Sequence, residues 1–251
     1  MKNDLKTKIA SKKACIGGWL TVRSPEVTDA LASVGFDWIA LDMEHGSFSV
    51  GDAENAFMVC ERHGCAPLVR LPQADPILAR RLLDSGAHGF LVPYTEDAGR
   101  FAEFASHCLF PPAGKRGLSL ERFNAWGDNF DETLRDFAPV LVPMIESRVG
   151  VKNASAIASL DFVDALFFGP YDLSADLGTP GDFTAKTFLE ARATVKEAAR
   201  QHGKAAGGHQ VVTDPKSLAQ MVEDSFTFIA YGTDMIALRA ALKPGAKINA
   251  S

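Results

Sequence analysis

Long apolar stretches are missing from this sequence. No run reaches the roughly 18 apolar residues of a membrane-spanning helix, and the segment Met1 to Lys13 is polar, without the apolar centre of a signal peptide. The sequence therefore predicts a cytoplasmic protein that has no membrane partner.

Paired cysteines and clustered basic residues are also missing. The four cysteines contain no C-x-x-C spacing, so we interpret them as buried reduced thiols rather than a disulfide framework or a zinc site. The net charge is −5, and the 26 Lys and Arg residues are scattered along the chain. Without a basic stripe to hold phosphate backbones, nucleic-acid binding is not expected.

The sequence does contain eight short apolar runs, rich in β-branched and aromatic residues, between longer amphipathic stretches. Such alternation is typical of parallel strands covered by helices. The runs are Cys15 to Thr21, Trp38 to Met43, Ala66 to Leu71, Gly89 to Pro93, Val140 to Ile145, Val163 to Phe168, Lys204 to Gly208 and Phe226 to Tyr231. Eight βα units without a linker or repeat favour an α/β fold with one closed (β/α)₈ TIM barrel over residues 1–251, rather than an open sheet.

Helix boundary signals alternate with these strands. Ser24-Pro25, Asp75-Pro76 and Asp214-Pro215 each offer an N-cap followed by proline, and Gly35, Gly64, Gly86 and Gly203 follow helical stretches. Two features exceed a minimal barrel. One is the Gly- and Pro-rich segment Phe110 to Phe130, typical of an active-site loop. The other is an extra helix at each end of the chain, which either plugs the barrel or packs on another subunit.

Polar side chains follow several of the predicted strands. Because the catalytic groups of such barrels lie where strands end, these positions form the candidate site. They are Trp19, Asp42, Glu44, His45, Arg70, Glu146 and Asp172.

Glu146 and Asp172 follow neighbouring strands, the fifth and the sixth. Two carboxylates with room for water and substrate oxygens suit Mg²⁺, Mn²⁺ or Co²⁺. In an equally weighted alternative, Glu146 pairs with Arg148, and Asp172 caps the helix that begins at Leu173.

Arg70 and His45 are candidates for the chemistry itself. A guanidinium at a strand end faces either an anionic substrate, such as an enolate oxygen, or a neighbouring carboxylate, Asp42 or Glu44. His45 lies three residues after Asp42, and such an acid is able to orient an imidazole for proton transfer. Among the other histidines, His209 also lies near a strand end.

Together these residues resemble the metal-dependent, class II pyruvate aldolases, which include 4-hydroxy-2-oxoheptanedioate aldolase and the 2-keto-3-deoxy sugar-acid aldolases. Seven motifs occur in the expected order over nearly the whole chain. They are Gly18-Trp19, Asp42-Met43-Glu44-His45-Gly46, Val69-Arg70-Leu71-Pro72, Leu83-Asp84-Ser85-Gly86-Ala87, the segment Pro111 to Gly117, Ile145-Glu146-Ser147 and the segment Phe168 to Ser174.

The resemblance implies a function and a role for each residue. A divalent metal on Glu146 and Asp172 would hold pyruvate, Arg70 would stabilise the enolate oxygen, and His45, oriented by Asp42, would move protons. Asp84 would reach the His45 region of an adjacent subunit. Trp19 would form a wall of the pyruvate site, and backbone groups in the segment that contains Gly169, Pro170, Leu173 and Ser174 would help to bind the pyruvate carboxylate. The reaction would cleave 4-hydroxy-2-oxo acids to pyruvate and an aldehyde, in a homohexamer built as a trimer of dimers, with the C-terminal helix packed on a neighbour.

The sequence departs from the family pattern in three places. Met144 replaces a polar Gln beside the metal-binding Glu, which removes one hydrogen bond from the metal site. The segments Leu118 to Arg122 and Gly207 to Gln210 also differ, and both lie where the aldehyde is expected to bind. Two alternatives stay open: a citrate-lyase-like or decarboxylating enolate enzyme, and a non-catalytic barrel that binds metal and oxoacid. No strand end carries a lysine suited to a Schiff base, and Lys115 lies in the long loop.

Overall fold

Eight parallel strands close into a barrel in the order in which they occur in the chain. The structure, a computed structural model, describes residues 4–246. The strands are β1 Cys15–Leu20, β2 Trp38–Asp42, β3 Ala66–Arg70, β4 Gly89–Val92, β5 Val140–Ile145, β6 Ala165–Phe168, β7 Ala205–Gln210 and β8 Phe228–Tyr231. The fold is the (β/α)₈ barrel predicted from the sequence.

Helices cover the outside of the barrel. They are α1 Asp4–Ala10, α2 Pro25–Ala32, α3 Val50–Arg62, α4 Pro76–Asp84, α5 Ala98–Ser106, α6 Phe130–Asp136, α7 Arg148–Ala158, α8 Pro170–Asp176, α9 Lys186–Gln201, α10 Pro215–Glu223 and α11 Asp234–Ala246, with a 3-10 segment at Arg122–Gly127. Among residues 4–246, none of these helices is both long and apolar enough to cross a membrane.

The predicted helix caps are present. The side chain of Asp75 accepts hydrogen bonds from the backbone N–H of Ile77 and Leu78 at 2.8 and 3.1 Å, and Ser24 and Asp214 cap α2 and α10 in the same way. The glycines predicted to end helices all have positive φ, from 67° at Gly203 to 112° at Gly86. Local backbone chemistry therefore sets the lengths of these βα units.

Alternating side chains of the strands form two apolar clusters. One fills the barrel interior and includes Trp38, Phe167 and Phe228; the other lies between strands and helices. Trp38 stacks on Phe228 at 4.4 Å between ring centroids. A Cβ at Gly17 would lie 2.1 Å from the Trp38 ring, so only glycine leaves room for this indole.

Helix α1 closes the amino-terminal end of the barrel. Leu5 and Ile9 are buried and belong to the interior cluster. Lys6 Nζ lies 2.7 Å from Asp164 Oδ1 and donates to the carbonyl oxygen of Pro139 at 3.2 Å. Of the two roles considered for this helix, the plug is the one seen; residues 1–3 lie outside the described part of the chain. The four cysteines are buried and free, as predicted.

The long loop after α5 is fastened by a buried arginine. The Arg116 side chain is fully buried, and its guanidinium carbon lies 4.4 and 4.6 Å from the ring centroids of Phe110 and Phe123. Its Nη2 donates to Asp84 Oδ1 at 2.7 Å. The loop is thereby held against the end of α4, and its exposed apolar side chains, Leu118 and Leu120, project from it.

Candidate active site

Glu146 and Asp172 lie at the carboxyl end of the barrel. Glu146 directly follows β5 and is 2% exposed, whereas Asp172 lies in the first turn of α8, after β6. A Cβ at Gly169 would lie 2.1 Å from Glu146 Oε1. The backbone between β6 and α8 therefore approaches the Glu146 carboxylate so closely that only glycine fits.

Burial and neighbouring carboxylates change the protonation of Glu146. Desolvation, with a smaller contribution from the negative charges of Asp172 and Glu44, raises its pKa to about 7 against the opposing effects of the Tyr94 backbone N–H and Arg70. Carboxylates placed close together in a poorly solvated site repel one another, and a bound cation relieves that repulsion.

Neither carboxylate takes the structural role considered as the alternative. Arg148 Nε donates to the carbonyl oxygen of Asp176 at 2.8 Å and lies 3.4 Å from its Oδ2, away from Glu146. The N-cap of α8 is Gly169, and this helix has no side-chain cap. Within the described residues, Glu146 and Asp172 form no ion pair, so both remain free to bind a cation.

Tyr94 contacts both carboxylates, and the sequence analysis missed it. Its backbone N–H donates to Glu146 Oε2 and its hydroxyl to Asp172 Oδ1, each at 3.0 Å. Burial, the hydrogen bond to Asp172 and the nearby carboxylates raise the pKa of the phenol to about 12. The available signal was a polar residue two positions after β4, a strand for which no candidate was chosen.

Arg70 forms the ion pairs considered in the sequence analysis. Its Nε donates to Asp42 Oδ1 at 3.0 Å, its Nη2 forms a short contact with Asp42 Oδ2, and its Nη1 lies 3.0 Å from Glu44 Oε2. A guanidinium has five N–H donors, so the pairs do not use all of them. Its positive charge also acts on Glu146, which places Arg70 within electrostatic reach of the metal carboxylates.

Asp42 binds the backbone of His45 instead of its imidazole. Oδ1 accepts from the N–H groups of Glu44 and His45, both at 3.1 Å, and Oδ2 accepts from Trp19 Nε1 at 3.2 Å. Burial alone would raise the pKa of Asp42, but the hydrogen bonds and charge of Arg70 outweigh it, and the net pKa is lowered. Asp42 thus fixes the loop that carries His45, whereas the expected orienting contact with the ring is not seen.

The His45 side chain itself is exposed and has no hydrogen-bond partner among residues 4–246. The turn after it depends on Gly46, where a Cβ would lie 2.1 Å from the carbonyl oxygen of Asp42. Asp84 pairs with Arg116 at 2.7 Å within the same chain. A contact between Asp84 and the His45 region of an adjacent subunit stays a prediction.

Trp19 packs between Arg70 and His209. It is 2% exposed, stacks on His209 at 4.5 Å between ring centroids, and has the Arg70 guanidinium carbon 5.0 Å from its ring. His209 Nε2 lies 3.2 Å from the carbonyl oxygen of Gly232. Burial lowers the pKa of His209 to about 4, so this ring is neutral at pH 7.

The side chains of Leu173 and Ser174, both predicted to bind substrate, point into the protein. Both are fully buried, and Ser174 Oγ donates to the carbonyl oxygen of Tyr171 and accepts from Gly181 N–H. What this segment presents to the site is backbone. Because Pro170 and Tyr171 occupy the first positions of α8, the first-turn N–H of Tyr171 has no partner within the helix.

The donor set fits a hard divalent cation. Among residues 4–246, no three His, Cys, Asp or Glu side chains converge into a complete ligand shell. Glu146 and Asp172 supply two oxygen donors, and Mg²⁺-like ions commonly combine one or two carboxylates with water and substrate oxygens. The site therefore suits a metal that binds together with its substrate.

Comparison with known proteins agrees with this geometry. The sequence profile of the HpcH/HpaI aldolase/citrate lyase family matches residues 16–241. A 5-keto-4-deoxy-D-glucarate aldolase from Salmonella paratyphi C (strain RKS4594) is 33% identical over 244 residues, which are 95% of this chain and 93% of the relative.

Solved structures of proteins from the same family are also similar to this chain. A HpcH/HpaI aldolase/citrate lyase family protein from Burkholderia cenocepacia J2315 superposes with a TM-score of 0.92 at 30% identity, covering 100% of both chains. A HpcH/HpaI aldolase from Desulfitobacterium hafniense DCB-2 gives 0.88 at 28% identity, covering 97% of this chain and 95% of that one. The profile match and these relatives, which span almost the entire barrel, show that this chain is an aldolase-type lyase that belongs to the HpcH/HpaI aldolase/citrate lyase family.

Proposed function

We propose that this protein cleaves 4-hydroxy-2-oxo acids to pyruvate and an aldehyde, and catalyses the reverse addition, with a divalent cation held by Glu146 and Asp172. The observation that carries the proposal is the pair of carboxylates at adjacent strand ends, both free of ion pairs within the described residues. Mg²⁺, Mn²⁺ and Co²⁺ all suit such oxygen donors.

Cleavage breaks the bond between C3 and C4 of the substrate. The C4 hydroxyl loses its proton, the electron pair left on its oxygen forms the second bond of the aldehyde carbonyl, and the C3–C4 electron pair moves into the pyruvate enolate. A cation held by Glu146 and Asp172 would supply Lewis-acid stabilisation of the enolate oxygen. Arg70, still with N–H donors to spare, donates to the same oxygen, and His45 accepts the hydroxyl proton.

Protonation of the enolate at C3 then gives pyruvate. The cleavage needs no Schiff base, because the charge is stabilised by the cation and Arg70. Lys115, the lysine considered in the sequence analysis, pairs with Glu103 on the outer surface. The direction of turnover depends on the relative concentrations of the oxo acid and its fragments.

Two other functions were considered. The family description includes citrate lyases as well as aldolases, but the curated relative at 33% identity is named an aldolase, which favours an aldehyde over another electrophile. A non-catalytic binder has no use for Arg70 and His45 at the same rim as the two carboxylates. We therefore retain the aldolase.

The aldehyde fragment is proposed to be polar and hydroxylated, as expected from a sugar acid. His209 lies beside the Trp19 ring and faces the barrel interior, where it offers a neutral hydrogen-bonding group to the substrate. The relative that is 33% identical is named for a sugar-acid substrate, 5-keto-4-deoxy-D-glucarate.

A homohexamer is proposed, with α11 packed on a neighbouring subunit. Asp234 fixes the start of this helix by accepting hydrogen bonds from Thr21 and Val22 of its own barrel. Beyond that point Met235, Leu238 and Leu242 are 43, 52 and 65% exposed. Residues 4–246 of the single chain leave these apolar side chains uncovered, and a neighbouring subunit would cover them. Light scattering on a Leu238→Asp/Leu242→Asp variant tests the proposal, which requires dissociation into smaller species.

The experiment that tests the activity measures exchange of the pyruvate methyl protons with deuterium by NMR. Exchange should stop after chelation, return with Mg²⁺, Mn²⁺ or Co²⁺, and be lost in Glu146→Gln and Asp172→Asn variants at every metal concentration. Arg148→Ala, two residues after Glu146 in the sequence but paired with Asp176, serves as the control and should exchange normally. Full exchange in chelated protein would refute the metal mechanism.

A further inference from the structure

We infer that Tyr94 is a positioning residue of the metal centre, whose hydroxyl and backbone N–H hold one oxygen of each metal-binding carboxylate so that the other oxygens face the cation. The inference rests on the proposed metal role of Glu146 and Asp172. It adds a residue that neither the sequence motifs nor the family resemblance assigned.

The first observation is that one residue serves both carboxylates. Tyr94 Oη donates to Asp172 Oδ1 at 3.0 Å and Tyr94 N donates to Glu146 Oε2 at 3.0 Å. Within residues 4–246, these are the single hydrogen bonds that each carboxylate receives. Glu146 Oε1 and Asp172 Oδ2 remain unbound, and it is these two oxygens that are left for a cation.

The second observation is that the residue two positions before Glu146 on β5 supplies no hydrogen-bond donor to the metal carboxylates. Met144, two residues before Glu146 on β5, is buried in the barrel interior and carries a thioether, which is at best a weak acceptor. A donor to the metal carboxylates must therefore come from another strand, and β4 supplies it through Tyr94.

The third observation is that the backbone at Tyr94 is held in an uncommon conformation. Its φ is +46°, in the left-handed region that a bulky residue seldom adopts. The turn is fixed on both sides by Thr95, whose N–H donates to the carbonyl oxygen of Met144 at 3.0 Å and whose Oγ1 donates to that of Val92 at 2.9 Å. Strain of this kind persists where the surroundings enforce it, commonly at functional sites.

Hydrogen bonds to metal-binding carboxylates fix their orientation, and loss of such a partner typically weakens metal binding by about 10- to 100-fold. Tyr94→Phe removes the hydroxyl alone and leaves the backbone N–H on Glu146. The Tyr94 ring is 53% exposed, so the variant keeps the fold. We expect its dissociation constant for Mn²⁺ to rise about tenfold or more.

The test measures Mn²⁺ binding to the full-length protein, without substrate, from the electron paramagnetic resonance signal of free Mn²⁺. Tyr171→Phe is the matched control, since Tyr171 precedes Asp172, is 52% exposed and packs on Phe183. Its hydroxyl has no hydrogen-bond partner among residues 4–246. Asp172→Asn establishes where the ion binds. The spectrum of bound Mn²⁺ should also change in Tyr94→Phe, which a purely structural role would not cause.

The outcomes separate the two proposals. Weaker binding in Tyr94→Phe, with Tyr171→Phe like wild type, supports the positioning role. A Tyr94→Phe dissociation constant within twofold of wild type, while Asp172→Asn abolishes binding, overturns the role of Tyr94 and leaves the metal centre standing. Wild-type protein that binds no Mn²⁺, or binds it equally well as Asp172→Asn, overturns the proposed metal centre and the inference with it.

Discussion

Replacement of Gly169 by alanine should damage the metal site without unfolding the protein. Gly169 has φ −91° and ψ 106°, which alanine adopts freely. The added methyl would nevertheless lie 2.1 Å from Glu146 Oε1 and 2.9 Å from its Cδ. The carboxylate of Glu146 must therefore move, while the backbone of Gly169 need not.

The size of the effect follows from that distance. Ordinary van der Waals separation is about 3.5 Å, so Oε1, now 2.1 Å from the added methyl, must shift by more than about 1 Å. A misplacement of about 1 Å in a catalytic group costs on the order of 100-fold in rate, or about 2.7 kcal/mol of transition-state stabilisation. Stability should change by less than about 1 kcal/mol, because a glycine-to-alanine gain of 0.4–1 kcal/mol offsets about 1 kcal/mol of rotamer strain in Glu146.

The assay compares kcat/KM for pyruvate proton exchange and the Mn²⁺ dissociation constant with those of Gly51→Ala. Gly51 lies in α3, and a Cβ there meets nothing closer than 3.9 Å, so this control should match wild type. Glu146→Asp shortens the acidic side chain by one methylene and should restore part of the lost affinity when combined with Gly169→Ala. If Gly169→Ala behaves like Gly51→Ala, Glu146 is not a metal ligand.

Three further predictions concern groups around the site. Arg70→Ala should lower proton exchange by at least about 100-fold, and it should lower the free energy of unfolding by about 3–5 kcal/mol because buried Asp42 loses its cation. Asp42→Asn in that background should restore stability but not exchange, and near-normal exchange in Arg70→Ala would remove Arg70 from the mechanism. Burial lowers the pKa of His209 from 6.5 to about 4, so as the pH falls the unfolded chain protonates this imidazole before the folded protein does. The free energy of unfolding should therefore fall between about pH 6.5 and pH 4, by at most about 1.4 kcal/mol per pH unit. Urea unfolding should show a shallower pH dependence of stability in His209→Leu, and an equal pH dependence would contradict the assignment. Arg116→Met should lower the free energy of unfolding by about 3 kcal/mol because the long loop loses its buried ion pair and ring contacts. Arg148→Ala, at an exposed position, should cost less than about 1 kcal/mol. Equal denaturation midpoints for the two variants would refute the proposed role of Arg116 in fastening the loop.

Much of the fold could be predicted from the sequence because its determinants are local. Every predicted strand is present, with ends shifted by no more than two residues, as for Ala165–Phe168 against the predicted start at Val163. The caps at Ser24, Asp75 and Asp214 depend on side chains within three residues of the backbone that they satisfy. Short-range rules of this kind do not require knowledge of the tertiary contacts.

The candidate residues at strand ends were predictable for a similar reason, since parallel strands bring their carboxyl ends to one rim. The atoms that these residues contact could not be predicted. Asp42 binds Arg70, Trp19 and backbone N–H groups, not the His45 imidazole. Its side-chain partners, Trp19 and Arg70, come from two other strands that are distant in sequence.

The direction of individual side chains also could not be predicted from the sequence. The motif that contains Ser174 is expected to bind substrate through its backbone, and the helical turn of α8 points the Ser174 hydroxyl inward to Gly181. Tyr94 was overlooked because its role depends on a left-handed backbone and on the adjacency of β4 to β5. Sequence patterns identify a strand end, but tertiary packing selects which side chain there faces the site.

The most direct test of the central claim is a crystal structure of the protein grown with Mn²⁺ and pyruvate, with anomalous diffraction collected at the manganese edge. The account predicts one strong anomalous peak between the carboxylates of Glu146 and Asp172, with two pyruvate oxygens bound to it and Arg70 beside the keto oxygen. A peak elsewhere, or a pyruvate bound without any cation between these two carboxylates, would contradict it.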